Sequence, residues 1–283
     1  MEGLITSRGI YRRTKAGKLK IKKLNLSSIS INITLLMLFA LTVYGLMSLN
    51  SKDVHVIEAA MIFLMNLRAM FLESDYTHFT FAQGLYQILV TMGLAFLTTL
   101  IGGFFALFLG LFAAQNLSNK RISTIIKAFV ACIRAVPTVL WVLVFAVAAG
   151  LGSVAAVIGM TFHTVGYLIK AYSESFEELD KGSIEALKAS GASWWQIVFQ
   201  AILPSSATYL LSWTFIRFEV NFTNAVAMGA AAGAGGIGFE LYMASSFYFD
   251  IREVGFITYL ILFTAIVLEV FSTKVKNRFL VRH

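Results

Sequence analysis

Residues Glu185 to Pro204 read EALKASGASWWQIVFQAILP, a polar, amphipathic stretch between two strongly apolar segments. Ser183 is placed to cap a helix with Glu185 in its first turn, because a hydroxyl accepts from free backbone N–H groups and a carboxylate suits the positive end of the helix dipole. Gly191 can adopt the left-handed conformation that other residues resist, so we expect a turn there and a second short helix from near Ser193. Pro204 is expected to end that second helix.

The composition places the chain among membrane proteins. Of its 283 residues 58% are hydrophobic and 13% are charged, and the mean hydropathy is +0.77, values outside the soluble range. Eight Lys and Arg residues, a large share of the net charge of +8, lie within residues 1–28. Such a segment beside a membrane helix is typical of contact with anionic lipid, not with nucleic acid. One cysteine and four scattered histidines predict no disulfide, metal site or cofactor.

Six apolar segments are long enough to cross a bilayer, which needs about 20 apolar residues in a helix. The region 55–72 is also apolar but carries Glu58 and Arg68, and as a span it would invert everything after it. We interpret it as an external helix along the membrane surface. The first segment has full membrane length, so it is interpreted as an uncleaved helix rather than a signal peptide. The predicted spans are residues 29–49, 83–114, 125–150, 154–172, 205–228 and 254–273.

The distribution of Lys and Arg predicts that both termini are cytoplasmic. The two tails are basic, whereas the segments 50–80 and 229–253 carry more acids than bases and are predicted to be external. The loop that contains the opening stretch then lies in the cytoplasm. The predicted organisation is a basic tail (1–28), a first transmembrane helix (29–49), an external segment with a surface helix (50–82), a membrane domain (83–273) that includes the loop 173–204, and a basic tail (274–283).

The loop resembles the cytoplasmic coupling motif of ABC-importer permeases, EAA-x3-G-x9-I-x-LP. Leu187 and Ala201 replace two residues of that pattern. The resemblance covers residues 84–280 and is to the phosphonate-importer branch, although this chain has Asn221-Phe-Thr where that branch has Asn-Val-Arg. The residues that match the coupling motif are Glu185, Ala186, Gly191, Leu203 and Pro204, and the other matching runs are Arg134-Ala-Val-Pro137, His163-Thr-Val-Gly166, Arg217-Phe-Glu219-Val-Asn221 and Gly233-Ala-Gly235-Gly236-Ile-Gly238.

This resemblance implies an all-α polytopic membrane protein of about six transmembrane helices, the type I ABC importer permease bundle with cytoplasmic coupling helices. It implies a permease, not an enzyme, that forms the pathway for a small anionic solute in the cell membrane. A phosphonate or a related phosphorus oxyanion is the implied solute, and phosphite, a phosphate ester or another solute stays open. The sequence has no Gly-x4-Gly-Lys-Ser/Thr loop, so ATP hydrolysis is expected from another chain. The implied partners are two ABC ATPase subunits, an extracytoplasmic solute-binding protein, a second permease subunit (a copy or a similar paralogue) and membrane lipid, without nucleic acid.

Polar residues within the predicted spans are candidates for the translocation pathway, because charges in a membrane normally face a bundle interior or water. Arg134 and Arg217 either line or gate the path of an anion or form structural salt bridges between helices. Glu219 is two residues from Arg217, so the two cannot share a helix face, and we expect a basic partner for Glu219 on another helix. Asn221 belongs to the same matching run. His163 is either a proton sensor or a hydrogen-bonded packing residue.

Two features bear on the shape and packing of the helices. Pro137 is expected to kink the third span and leave a carbonyl free to line a cavity or gate. Small residues recur every four positions in the second span and predict close helix packing rather than a site. They are Gly102, Ala106, Gly110 and Ala114.

The glycine run Gly233, Gly235, Gly236 and Gly238 follows the fifth predicted span. It matches the dinucleotide-binding fingerprint formally, but that fingerprint requires a preceding strand and a crossover unit. We interpret the run as a tight turn at the external mouth, where glycine allows helices or a binding protein to approach closely.

An ion-coupled secondary transporter or channel is the alternative function. It requires an ion-binding acid in mid-membrane, for which Glu219 is the candidate, and it does not explain the coupling loop. A membrane-embedded enzyme is not supported, because the sequence offers no nucleophile–base or metal constellation.

Overall fold

The computed structural model describes residues 10–13, 19–22, 26–48 and 56–280. Over these residues the chain is almost entirely helical, which confirms the predicted fold class. It divides into two units, Met1–Ile62 and Phe63–His283. The elements in chain order are β1 (Ile10–Arg13), β2 (Leu19–Lys22), α1 (Leu26–Ser48), α2 (Val56–Leu72), α3 (Phe81–Ala113), α4 (Lys120–Ala135), α5 (Thr138–Ala149), α6 (Ser153–Glu177), α7 (Lys181–Ala189), α8 (Trp194–Ile197), α9 (Leu203–Ala232), α10 (Ile237–Tyr242) and α11 (Ile251–Leu280), with π-helical turns at Val198–Ile202 and Met243–Phe247.

The first unit contains an antiparallel pair of strands that the sequence analysis did not predict. β1 pairs with β2 so that Ile10 lies opposite Lys22 and Arg13 opposite Leu19. The alternation of apolar and basic residues in Leu19-Lys-Ile-Lys22 has the two-residue period of a strand. Interpreting this region only as a basic tail overlooked that signal.

Among the described residues, four helices are long and apolar enough to cross a membrane, and the number rises to five if a bent pair of helices counts as one span. The fifth predicted span lies within α9, which has 30 residues. This helix is not among the four, because Ser, Thr, Asn and charged residues dilute its apolar character. The total of six spans therefore stays a prediction, as do the domain boundaries. The four helices are Ser27–Ser48, Phe81–Ala113, Ser153–Glu177 and Ile251–Arg278.

The bent pair, α4 and α5, corresponds to the third predicted span, which is broken rather than kinked. The two helices meet at 90° around Val136 and Pro137. Pro137 has no N–H to offer to the carbonyl of Ile133, four residues earlier. The indole Nε1 of Trp141 donates to that carbonyl at 2.9 Å instead. The prediction of a free carbonyl at the kink is therefore wrong, because a side chain from α5 satisfies it.

The core of the second unit forms where α3 packs against α6 and α9. The small residues of α3 face this contact and are buried. A Cβ on Gly102 would lie 2.5 Å from Cγ2 of Thr164, and one on Gly110 would lie 3.2 Å from Cβ of Tyr172, both on α6. The predicted close packing is thus confirmed, since a larger side chain at either position would hold the helices apart.

Candidate functional site

The first helix of the coupling loop, α7, is capped by Asp180 and not by Ser183. The Asp180 carboxylate accepts from the backbone N–H of Ser183 at 2.9 Å and of Gly182 at 3.2 Å, and from the Ser183 hydroxyl at 3.0 Å. These hydrogen bonds, chiefly that from the Ser183 N–H, hold the pKa of Asp180 below its usual value. The predicted cap was wrong because the acid three residues earlier reaches the same N–H groups, which places Ser183 inside the first turn.

Gly191 makes the predicted turn between α7 and α8. Its φ is +84°, the left-handed conformation that glycine adopts without penalty. The N–H of Gly191 donates to the carbonyl of Lys188 and that of Ala192 to the carbonyl of Leu187, both at 3.0 Å. This double hydrogen bond is the Schellman ending of a helix. The second short helix, α8, begins near Ser193 as predicted, and Ser193 caps it in a reciprocal capping box with Gln196.

One face of the loop is anchored in the protein. Ile184 and Ile197 are buried in an apolar cluster that also includes residues of α3, α4 and α6. Trp194 stacks on Phe112 of α3 with an angle of 10° between the rings, and its Nε1 donates to the carbonyl of Leu117 at 2.8 Å. Sequence reasoning missed this anchor, although a tryptophan at the start of an amphipathic helix was its signal.

The opposite face of the loop is open. Four of the five motif residues lie there, and only Leu203 is half-buried. Trp195 is 53% exposed and Phe199 63% exposed, and their rings stack at 6.0 Å. Large exposed apolar side chains such as these mark a surface that another protein or the membrane covers. The exposed motif residues are Glu185, Ala186, Gly191 and Pro204.

Pro204 does not end a helix, contrary to the prediction. The backbone stays helical from Trp194 to Ala232, through α8, the π turn and α9. In the π turn the N–H of Leu203 donates to the carbonyl of Val198, five residues earlier. The wider turn leaves room for the proline ring, and Pro204 lies in the first turn of α9, where proline is tolerated.

A chain of buried hydrogen bonds crosses α9, α6 and α3 in the middle of the second unit. The Nε of Arg217 donates to Thr164 Oγ1 at 3.1 Å, and that hydroxyl donates to Asn221 Oδ1 at 3.1 Å. Asn221 Nδ2 donates to Thr99 Oγ1 at 2.9 Å, which donates to the carbonyl of Ala95 at 2.7 Å. All four hydrogen bonds run in the same direction, from Arg217 towards the carbonyl of Ala95. The chain therefore fixes the amide of Asn221 and, through Thr164, the guanidinium of Arg217.

Two guanidinium groups flank the ring of Tyr167. The Cζ of Arg217 lies 5.0 Å from the ring centroid and that of Arg134 lies 5.9 Å from it. Arg217 is only 3% exposed, and its Nη2 is buried without a hydrogen-bond partner among the described residues. Arg134 is exposed. Neither arginine forms a salt bridge within the described residues, so the structural salt bridge considered from the sequence is not found there.

The other predicted pathway residues are Glu219, His163 and Pro137. Oε1 of Glu219 is buried without a hydrogen-bond partner among the described residues, so the basic partner predicted on another helix is not found there. His163 lies four residues before Tyr167, on the same face of α6, and its Nδ1 is likewise buried and unpartnered within residues 56–280. The ring does form a hydrogen bond with the backbone of Val136, so the role of His163 stays a prediction. Pro137 is exposed at the break between α4 and α5.

The glycine run forms the predicted tight turn, and its glycines are needed for two different reasons. Gly233, Gly235 and Gly236 have φ of +63°, +82° and +72°, so they supply left-handed backbone. Gly238 is needed for space, because a Cβ there would overlap the carbonyl oxygen of Val226. The turn thus packs α10 directly against α9. The external position of this turn stays a prediction.

Comparison with known proteins identifies relatives over most of the second unit. The sequence profile of the family described as "Binding-protein-dependent transport system inner membrane component" matches residues 106–278. The phosphite transport system permease protein PtxC of Stutzerimonas stutzeri is 30% identical over 190 residues, 67% of this chain and 68% of that protein. The phosphate-import permease protein PhnE of Mycolicibacterium smegmatis is 32% identical over 153 residues, 54% of this chain but only 29% of that protein.

Among solved structures, a chain of the inward-facing MetNI methionine ABC transporter superposes with a TM-score of 0.63. It is 20% identical in sequence, and the match covers 69% of this chain and 95% of that one. At this identity the similarity shows the fold alone, which is the predicted permease fold. Together with the family match over more than half of the sequence, these findings mean that this multi-pass membrane protein belongs to the family of binding-protein-dependent transport system inner membrane components.

Proposed function

We propose that this chain is the permease subunit of an ATP-binding-cassette importer and forms the translocation pathway for a small phosphorus oxyanion. The observation that carries the proposal is a single helical run. It joins the exposed coupling loop, at Trp194, to the buried cation Arg217, about six turns further along. A push on the loop is therefore transmitted to the guanidinium along one helical run, which passes through the π turn and Pro204. Two of the relatives above are named for phosphite and phosphate transport, which supports the choice of solute.

The chemistry of the pathway follows from the geometry around Tyr167. Arg217 offers Nη2 from a buried position, and Arg134 faces the same ring from an exposed position. A tetrahedral oxyanion accepts several N–H donors, and a guanidinium presents them in a fixed fork. Because water is scarce around Arg217, an anion there is held strongly. Movement of α9 then changes how far that anion is shared with Arg134.

The proposed subunit arrangement is supported by the family and by the exposed face of the coupling loop. Two ABC ATPase subunits bind the coupling loops of two permease subunits, each a copy or paralogue of this chain, and an extracytoplasmic binding protein delivers the solute. The exposed Trp195 and Phe199 supply the apolar part of the ATPase contact. Both termini and the coupling loop lie in the cytoplasm, as the positive-inside rule predicts. Catalysis of ATP hydrolysis belongs to the ATPase subunits, so this chain is not itself an enzyme.

The ion-coupled alternative is not favoured, because the family to which the chain belongs depends on binding proteins. The unpartnered Oε1 of Glu219 is the feature that would serve such a mechanism. Replacement of Glu219 by Gln tests it. Uptake that depends on ATP and stays independent of a proton or sodium gradient in both forms supports the importer.

The first test is ATP hydrolysis by the permease reconstituted with the ATPase and binding protein encoded beside it. Phosphonates, phosphite and phosphate are added one at a time. We expect one of them to stimulate hydrolysis. We expect Gly191→Asp to abolish that stimulation, while Gly191→Asn, which fits the left-handed turn as Asp does but adds no charge to the exposed loop, retains it. A complex that assembles but responds to none of the panel contradicts the choice of solute. Failure of any ATPase to bind contradicts the importer itself.

The second test concerns Arg217. Arg217→Met keeps the length of the side chain but removes the charge, so we expect uptake in proteoliposomes to stop while the complex still assembles. Arg217→Lys is the matched control and should retain part of the uptake, since it keeps the charge but not the fork. Unchanged uptake by Arg217→Met would exclude this residue from the pathway.

A further inference from the structure

A second group of cations surrounds a cavity between α4 and α6, at the end of α6 that leads into the coupling loop. The cavity has a volume of about 250 Å³, which is ample for a small oxyanion. Lys127, Arg134 and Lys170 line it, together with one acid, Glu174. Neither lysine belongs to the pathway predicted from the sequence, because neither lies in a recognised motif.

This cavity shares lining residues with a second one that reaches the ring of Tyr167, beside Arg217. Arg134, Lys170 and Glu174 also line a neighbouring cavity of about 110 Å³, whose wall includes Tyr167. The ring of Tyr167 is in turn the surface on which the Arg217 guanidinium lies. Cationic groups therefore follow one another from the buried arginine towards the coupling loop.

Each lysine of the cavity is held by an acid that an incoming anion can displace. Nζ of Lys127 lies 2.7 Å from Oε1 of Glu177, which also accepts from the backbone N–H of Gln115. Nζ of Lys170 lies 3.6 Å from Glu174. All four side chains are partly exposed, from 27% for Glu177 to 55% for Glu174, so these pairs are weak and exchangeable. An oxyanion in the cavity takes the place of the carboxylates.

We propose that this cavity is a release site for the transported phosphorus oxyanion, with Lys127 and Lys170 as its binding residues and Arg134 as the group shared with the inner site. The inference rests on the proposed function and adds to it a second anion site on the cytoplasmic side. The carboxylates of Glu177 and Glu174 compete with the anion for the lysines and so favour its departure. Glu177 is the last residue of α6, three residues before the cap of α7, which places this competition beside the coupling loop.

The site predicts inhibition by solute that accumulates on the release side. The experiment uses proteoliposomes with the complete complex, ATP in the lumen and binding protein outside. Uptake of labelled phosphite is measured against increasing unlabelled phosphite in the lumen, with phosphate in its place if phosphite does not stimulate hydrolysis. The Lys127→Gln variant should need about tenfold more luminal phosphite to halve uptake, because it loses one charged hydrogen bond to the anion. Lys170→Gln should act in the same direction.

The decisive comparison is between the two partners of one pair. Glu177→Gln keeps an oxygen for the N–H of Gln115 but releases Lys127, so it should lower the inhibitory concentration, opposite to Lys127→Gln. Lys120→Gln removes a cation at the start of the same helix, outside the cavity, and should change nothing. Shifts in the same direction for Lys127→Gln and Glu177→Gln would mean a merely structural pair and would overturn the proposal. Unchanged inhibition in both variants would overturn it as well.

Failure of this inference is distinguishable from failure of the proposed function. If no solute stimulates ATP hydrolysis in the unaltered complex, the proposed solute is wrong. If stimulation and uptake are normal but luminal phosphite, at any concentration, leaves uptake unchanged, the release site is wrong and the importer stands.

Discussion

Two glycine turns flank the helical run from Trp194 to Ala232, and they differ in how tightly they are packed. At Gly191 no atom lies within 4 Å of where a Cβ would be, and only the φ of +84° requires glycine. At Gly236 a Cβ would meet Thr91 of α3, and at Gly238 it would meet the backbone of Val226. One turn is open, and the other is a contact between three helices.

The difference concerns the turns themselves, since the helix after the open turn is still anchored to α3 through Trp194. The turn after α9 is tied down by the N–H of Ile237, which donates to Thr91 Oγ1 at 2.9 Å, and by close backbone packing. The turn before α8 makes only local hydrogen bonds. In the proposed importer, a force applied to the coupling loop would therefore pivot α9 about its far end, with Arg217 between the two. The following predictions test this comparison, from the largest expected effect to the smallest.

Gly238→Ala should break the packed turn. The added methyl overlaps the carbonyl oxygen of Val226, and backbone cannot move aside as a flexible side chain would. We expect a loss of about 3 kcal/mol, at the upper end for overpacking. The measurement is the midpoint of thermal unfolding of the purified protein. A midpoint equal to that of the unaltered protein would contradict the description of this turn as packed.

Thr91→Val should weaken the same turn by less. It removes the acceptor for the N–H of Ile237 and leaves that buried donor without a partner, at a cost of about 2 kcal/mol. Thr91→Ser keeps the hydroxyl and is the matched control. The same thermal midpoint measures both variants, and a loss in Thr91→Ser without a loss in Thr91→Val would show that the methyl group and not the hydrogen bond matters.

Gly191→Ala should destabilise the open turn by only about 1 kcal/mol, the strain of a left-handed alanine, because there is space for the methyl. ATP-driven uptake should fall by a larger fraction than this small loss of stability explains. The two are measured side by side, with Gly191→Asn as control. A loss of stability as large as that of Gly238→Ala would remove the distinction between the turns.

Acidification should loosen the cap of α7, with the smallest effect of the four. The folded pKa of Asp180 is lowered by its hydrogen bonds, so its contribution is present above the ordinary pKa of an aspartate and is lost as the pH falls through the lowered value. Hydrogen exchange of the α7 amides measures this loss. Asp180→Asn, which caps without a charge, should remove the pH dependence and leave the helix formed.

Much of the fold follows from the sequence, because hydropathy and helical period are local properties. The order of helices, the turn at Gly191, the capping box at Ser193 and the close packing of Gly102 and Gly110 were all predictable. The alternation of apolar and basic residues in the second strand would also have allowed prediction of the strand pair β1–β2. The cap at Asp180 was missed because two neighbouring residues compete for the same N–H groups, and sequence alone does not show which one wins.

The arrangement of the candidate site was decided only by tertiary structure. Thr99, Thr164 and Asn221 meet across as many as 122 positions of sequence, and nothing local marks them as partners of Arg217. Trp141 satisfies the carbonyl that Pro137 leaves free, which the proline alone could not reveal. The sequence by itself determined which segments are helical and which residues a membrane penalises. Which faces of those helices meet depends on the packing of side chains from distant segments, and that packing places each charge in a pocket, in a hydrogen-bond chain or against lipid.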